Sequence, residues 1–388
     1  MKIDRILPLL VLALLATACG GSSGSESPES SPPARYTYSI PAQTNDGWVT
    51  GHLDDHGFNT ALIMEMMDGI SDGQFSGIDS VTIVRNNSLL LHAVFERNLD
   101  RFDNWTGNTD PGRHVLHSTS KSFTSALIGI AIDQGYIASV NVPFYDLFSY
   151  GSYSNPDTRK ATMTLEDALT MRLGLEWDEW SVPYTQPGND LEELMNNNTD
   201  YAKALLDLPM ISDPGTSFTY NTAATIAIGQ ALENTVGVPM ADFAELNLFQ
   251  PLQILTAEWG RTPTGLPNGG SGLFLESRDM IKFGQLFVDN GLWNGQQIVS
   301  SEWVDASVEQ HVVLDYSTSS GYGYQWWLGG LTHNGQSIEV WSTRGFGGQD
   351  IFCIPSLNLV VAFTGQNYDS GERLPFSLMQ DFVLPSID

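Results

Sequence analysis

A serine hydroxyl is a poor nucleophile near neutral pH, and a lysine amine held beside it is one of the groups that can take its proton. The chain carries that pair at Ser118-Thr119-Ser120-Lys121. At the start of a helix, an offset of three places the amine one turn above the hydroxyl. Burial there lowers a lysine pKa and makes a neutral amine available as base. With five lysines and many serines, chance alone supplies about half a Ser-x-x-Lys match in such a chain. The residues by themselves also allow an N-capping serine beside a solvated lysine. Other candidates are weaker. Gly20-Gly21-Ser22-Ser23-Gly24 has the letters of a nucleophile elbow but neither the strand nor the helix that an elbow needs. His52 and His56 have the spacing of a helical metal pair, with Asp54 and Asp55 between them, yet no Glu follows His52 as in H-E-x-x-H. Cys353 lies in the apolar run Ile351-Phe352-Cys353-Ile354 and reads as a packed thiol. No metal ion or organic cofactor is implied.

The elements that must position Ser118 and Lys121 are legible in outline. Lys121 to Gln134 has Phe123, Leu127, Ile130 and Ala131 on one face and little polar surface elsewhere, which predicts a buried helix stopped at Gly135. Ser80 to Val84 and Leu89 to Phe95 flank Asn86-Asn87 and predict an antiparallel hairpin. The middle of the chain is mainly helical. Thr164 and Asp167 form a capping box, Thr222 to Asn234 precedes Gly237, and Ser277 to Asn290 precedes Gly291. Strands return at Tyr322 to Leu328, Ile338 to Ser342, Gln349 to Ile354 and Leu359 to Thr364, before a last helix over Leu374 to Val383. The expected fold class is α/β (α+β): one antiparallel sheet built from both chain ends, with helices and an inserted helical subdomain.

Composition bounds the function. The 388 residues include 45 acidic and 17 basic side chains, a formal charge of −28, with 41% apolar and 11% aromatic residues. That is a packed globular protein whose surface repels a phosphate backbone, so no nucleic-acid partner is expected. Met1 to Ala18 has Lys2 and Arg5 ahead of the apolar run Ile6 to Ala16, as in a secretion signal. Leu15-Ala16-Thr17-Ala18-Cys19-Gly20 resembles a bacterial lipobox, with Ala16 where Leu is usual. The resemblance implies lipidation at Cys19 and a membrane anchor on the extracytoplasmic side. Ordinary cleavage near Ala18 is the alternative. Gly20 to Arg35 holds six Ser, three Gly and three Pro, a tether composition. The expected organisation is a signal at 1–18, a tether at 19–40 and one catalytic domain at 41–388.

The flanks of the Ser-Lys pair supply a family resemblance. His117-Ser118-Thr119-Ser120-Lys121-Ser122-Phe123-Thr124-Ser125-Ala126-Leu127-Ile128-Gly129 resembles the nucleophile segment of the serine β-lactamase-related family. That family includes class C β-lactamases, penicillin-binding DD-peptidases, esterases and 6-aminohexanoate-dimer hydrolases. Leu169 to Trp177, Asp213 to Thr222 and Gly345-Phe346-Gly347-Gly348-Gln349 agree in order and spacing, so the resemblance covers about Ser80 to Thr364. It implies a β-lactamase/transpeptidase-like fold, an acyl-enzyme on Ser118, Lys121 as its proton partner and Tyr220 as a second base. The oxyanion hole it implies joins the Ser118 N–H to the Phe346 N–H, with Gly345 and Gly347 keeping that backbone open to substrate. Trp180 and Tyr184 belong to an aromatic loop expected to wall the pocket, with the Tyr184 hydroxyl offered to a substrate amide. The chain departs from the class C pattern in two places. Tyr220 is followed by Asn221 and Thr222 rather than by x-Asn, and Ser342-Thr343-Arg344-Gly345 replaces a Lys or His before Thr-Gly. Both favour the nylon-oligomer hydrolase and esterase branch, acting on small amides, esters or short peptides. The contrasting expectation is an inactive, surface-anchored binding protein that kept the fold.

Overall fold

Asn86 and Asn87 both take positive φ, 50° and 59°, the backbone that lets a two-residue turn follow the twist of its flanking strands. The hairpin they close is part of one nine-stranded sheet in a computed structural model that describes residues 35–369 and 373–388. Met1 to Ala18, Cys19 and the tether as far as residue 34 lie outside the described residues. In chain order the strands are β1 (Val49–Thr50), β2 (Ile78–Arg85), β3 (Ser88–Val94), β4 (Val312–Tyr316) and β5 (Ser319–Tyr322). They continue with β6 (Trp327–His333), β7 (Gln336–Gly345), β8 (Gln349–Ile354) and β9 (Leu359–Gly365). Across the sheet the order is β1-β3-β2-β9-β8-β7-β6-β5-β4. The early hairpin therefore joins the late strands through β2 and β9, with Arg85 opposite Leu359. The pairing is antiparallel except at the edge, where β1 runs parallel to β3.

Side chains alternate across a pleated sheet, and here both faces are covered. Ile351 and Cys353 of β8 join the larger core with the helices α2 (Ser120–Asp133), α3 (Thr222–Val236) and α4 (Ser277–Val288). Phe352 and Ile354 join the opposite core, closed by α1 (Thr60–Ser71) and the C-terminal helical turns. Cys353 is fully buried with its sulfur 3.6 Å from the Gly284 carbonyl, and burial pushes its thiol pKa up, as expected of a packed side chain. The capping box at Thr164 and Asp167 forms, and Gly237 ends α3 at φ 74°.

The expected strand over Tyr322 to Leu328 is instead a reversal. β5 ends at Tyr322, β6 begins at Trp327, and these two residues pair. Gln325 takes φ 66° and the Gly323 N–H bonds the Trp326 carbonyl, so the apolar run turns back on itself. Burial rather than strand geometry explains its aromatic residues. The last helix is also divided, with an α-turn at Leu374–Leu378 passing into a π-turn at Met379–Val383.

Gly129 marks how closely α2 is held. A Cβ there would collide with the indole of Trp303. Helix propensity alone favours Ala by about 1 kcal/mol, whereas overpacking costs about 1–3 kcal/mol. Gly129→Ala is therefore expected to lower the urea midpoint; an unchanged or raised midpoint would mean that the indole moves aside freely.

Candidate active site

The stretch from Ser118 to Ser125 carries a hydroxyl at six positions, and buried hydroxyls need partners. Thr119 Oγ1 donates to the Gln349 carbonyl at 2.6 Å, Ser122 Oγ to the Gln325 carbonyl at 2.7 Å and Thr124 Oγ1 to the Gly269 carbonyl at 2.9 Å. These bonds tie α2 to β8 and to two loops, which fixes the height of its first turn. Ser118 stands in a 3-10 turn, His117–Thr119, directly before α2. His117 is bent to φ 46°, an uncommon conformation for a residue with a Cβ. Its ring is edge-on to Phe102, Phe346 and Tyr368.

Lys121 is 1% exposed, and its amine makes three contacts. Nζ lies 2.9 Å from Ser118 Oγ, 2.9 Å from Thr222 Oγ1 and 2.8 Å from the Gly270 carbonyl. Burial pulls its pKa down to about 7, against a weaker opposing pull from Glu179. The expected one-turn offset thus forms, and the lysine is not solvated. Tyr220 is the last residue but one before α3. Its ring centroid is 4.9 Å from Lys121 Nζ, and the ring forms a three-membered cluster with Trp180 at 5.0 Å and Trp327 at 5.6 Å, which lie 6.3 Å from each other. Burial and the Glu179 charge raise its phenol pKa, and its interaction with Ser118 draws it partly back.

Two cavities meet at this point. The larger, about 310 Å³, is walled by Phe102, Trp105, Leu191 and Met195. The other, about 220 Å³, holds Trp180, Tyr220, Trp327, Arg344 and Arg373. Ser118, Tyr184 and Phe346 line both. The residues singled out from sequence therefore converge, with Cys19 outside the described residues. Gly345 and Gly347 line the second cavity, but each also has a packing reason to be glycine. A Cβ on Gly345 would meet the Leu116 carbonyl, and one on Gly347 the Tyr368 ring. Trp180 is half exposed at the rim. For Tyr184 the structure narrows the direction of any such bond. Its hydroxyl donates to Glu179 Oε1 at 2.9 Å, which leaves it able to accept from a substrate N–H but not to donate.

Sequence reasoning passed over two residues. Glu179 is 2% exposed and accepts from Trp177 Nε1, Tyr184 OH, Thr222 N and Thr222 Oγ1 at 2.7–2.9 Å. Thr222 links it to Lys121. The pair of carboxylates, Asp178 and Glu179, between Trp177 and Trp180 in an aromatic loop is the one signal that could have drawn attention to Glu179. Asn221 caps α3 by accepting from the Ala224 N–H at 2.9 Å, so its amide oxygen is engaged by the helix. Arg344 turns into the second cavity between the rings of Trp327 and Phe376, its guanidinium held by Thr318. His52, away from the site, accepts the Asp54 N–H and packs edge-on against Tyr38.

A sheet assembled from both chain ends, with a buried helix that begins Ser-x-x-Lys against its face, defines the class of penicillin-recognising and related serine hydrolases. Comparison with known proteins agrees. The sequence model of the Beta-lactamase family matches residues 60–375, and the chain belongs to that family of serine hydrolases. The 6-aminohexanoate-dimer hydrolase of Paenarthrobacter ureafaciens is 24% identical over 271 residues, 64% of this chain, and the match spans 65% of that relative's length. Among solved structures, a proposed 6-aminohexanoate-dimer hydrolase from Bacillus anthracis superposes with a TM-score of 0.63 at 19% identity, covering 89% of each chain. A β-lactamase/D-alanine carboxypeptidase from Yersinia pestis, solved with citrate, gives 0.61 at 18% identity, over 84% of this chain and 98% of that one.

Proposed function

We propose that the protein hydrolyses a small amide, ester or short peptide through an acyl-enzyme on Ser118, outside the cytoplasm and tethered through a lipid on Cys19. The observation that carries the chemistry is the 2.9 Å contact of Ser118 Oγ with a buried amine whose pKa lies at about 7. Neutral Lys121 takes the Ser118 proton as Oγ attacks the carbonyl carbon. The oxyanion is held by the Ser118 and Phe346 N–H groups. Tyr220, kept as a phenol by its raised pKa, passes its proton to the leaving group and is reprotonated from Lys121. Water then attacks the acyl ester with the same groups in reverse.

The aromatic cavity suits an apolar group on one side of the scissile bond, and the Arg344 side suits a polar or anionic one on the other. The names of the Paenarthrobacter relative and of the Bacillus structure make a short amide the first substrate to try. Anchoring rests on the signal-like Met1 to Ala18, the lipobox-like residues before Cys19 and the tether composition.

The test is turnover of a short-chain p-nitrophenyl ester by the soluble domain, with peptide mapping of the covalent adduct. An acyl mass on the peptide containing Ser118 is expected; no adduct and no turnover across ester and amide panels would overturn the reading in favour of a binding protein. Because the base must be neutral, kcat/KM is expected to rise with pH through an acid limb near 7. A profile flat from pH 5 to 9 would exclude Lys121 as the base.

A further inference from the structure

Glu179 is buried, lines neither cavity beside Ser118, and takes four hydrogen bonds, yet nothing in the proposed reaction uses it. We propose that Glu179 is a positioning residue which, through the Thr222 hydroxyl, fixes the direction of the hydrogen bonds around Lys121 and aims the lone pair of the neutral amine at Ser118. The inference rests on the acyl-enzyme reading above and deepens it.

The argument is one of donors and acceptors. An ionised carboxylate can only accept, so the Thr222 hydroxyl, 2.7 Å from Glu179 Oε1, must spend its hydrogen there. Its oxygen is then left as an acceptor for Lys121 Nζ at 2.9 Å. The Gly270 carbonyl, 2.8 Å from Nζ, is also an acceptor without alternative. Nζ has three directions besides its bond to carbon, and two must carry hydrogens toward Thr222 and Gly270. In the neutral amine the third is the lone pair, and the group on that side is Ser118 Oγ at 2.9 Å. When Nζ takes the serine proton, all three N–H groups find acceptors without any heavy atom moving. The two protonation states differ by one proton along one contact, which is the preorganisation that proton transfer requires.

Without the carboxylate this order is lost. A glutamine at 179 can present its N–H₂ to Thr222, freeing the threonine hydroxyl to donate to the lysine lone pair and draw it away from Ser118. Losing the charge also removes the influence that raises the Lys121 pKa. The other groups facing this network are the Tyr184 hydroxyl on the same loop, Tyr220 at the head of α3, His117 beside Ser118 and Tyr322 on β5. Arg344 and Arg373 act on it through Tyr220. Burial raises the three phenols and keeps them neutral, and it lowers His117 to about 3, so Glu179 is the charge that can bias the amine at neutral pH.

The experiment labels Ser118 with a fluorophosphonate probe, followed by intact mass from pH 5 to 9, so no natural substrate is needed. Glu179→Gln is expected to slow labelling at the pH plateau by roughly 10²-fold and to move the acid limb downward by at least half a pH unit. Thr222→Val should slow it about as much, and Thr222→Ser, which restores the hydroxyl, should recover the rate to within about threefold. If Glu179→Gln labels like the wild type, or slows equally at every pH with its limb unmoved, the positioning role is overturned. If Glu179→Gln does not fold, the Thr222 pair decides: equal labelling of the Val and Ser variants overturns the inference. A wild type that is labelled elsewhere than Ser118, or not at all, overturns the acyl-enzyme reading and this inference with it.

Discussion

Lys121→Met is expected to fold and to turn over ester substrates at least roughly 10³-fold more slowly than the wild type, with no acid limb near neutral pH. The substitution keeps length and apolar bulk at a site that is 1% exposed. It removes an amine whose burial is itself costly, as the downward pull on its pKa shows. Thr222 keeps its bond to Glu179, so the main group left without a partner is the Gly270 carbonyl. Leaving one buried acceptor unpaired costs about 1–3 kcal/mol, a loss a domain of this size tolerates. Catalysis has no such reserve, because Ser118 then faces its substrate as a hydroxyl with no base beside it. Steady-state rates between pH 5 and 9 decide the matter. A mutant within tenfold of wild type, or one that keeps the limb, would mean that another group takes the serine proton.

The second large effect falls on a residue with no side chain. Gly345→Ala places a methyl group against the Leu116 carbonyl and against Gln349. The first contact is with a backbone oxygen, so no rotamer change relieves it. Leu116 cannot retreat easily, since its N–H is bonded to the Leu273 carbonyl at 2.7 Å. The displacement must pass to His117-Ser118 on one side or to Phe346 on the other, where the two proposed oxyanion donors lie. Loss of one such donor costs about 10²–10³ in kcat. We therefore expect kcat to fall by roughly 10²-fold with KM little changed, while stability falls by about 1–3 kcal/mol. If kcat holds and the urea midpoint alone drops, the Phe346 N–H is not part of the catalytic apparatus.

What could be read from the residues was whatever local rules determine. α2 announced itself through apolar spacing and a glycine stop, the first hairpin through Asn86-Asn87, and β8 through an uninterrupted apolar run. Ser118, Lys121 and Tyr220 were legible because each sits at a helix start with a recognisable approach. The failures are places where distant contacts overrule local pattern. Tyr322 to Leu328 looks like a strand because its aromatic residues are buried, yet Gly323 and Gln325 turn the chain where it meets Ser307. The strand β1 is two residues long and depends wholly on β3 for its existence. Glu179 has no periodicity to mark it. Its role comes from α3, which brings Thr222 to it across 43 positions of sequence.

The placement of β2 against β9 carries a consequence for how the molecule comes into being. Until the chain has been synthesised past Leu359, β2 has a neighbour on one side only, and the apolar residues Val81, Ile83 and Val84 have no complete sheet to join. The two ends must then find each other across the whole helical middle, a loop closure that is slow and leaves strand edges open meanwhile. For a cytoplasmic enzyme that delay is a hazard of aggregation. Under the proposed export the same delay is an advantage, because a chain that cannot complete its central sheet before its last strand emerges stays extended long enough to be carried across.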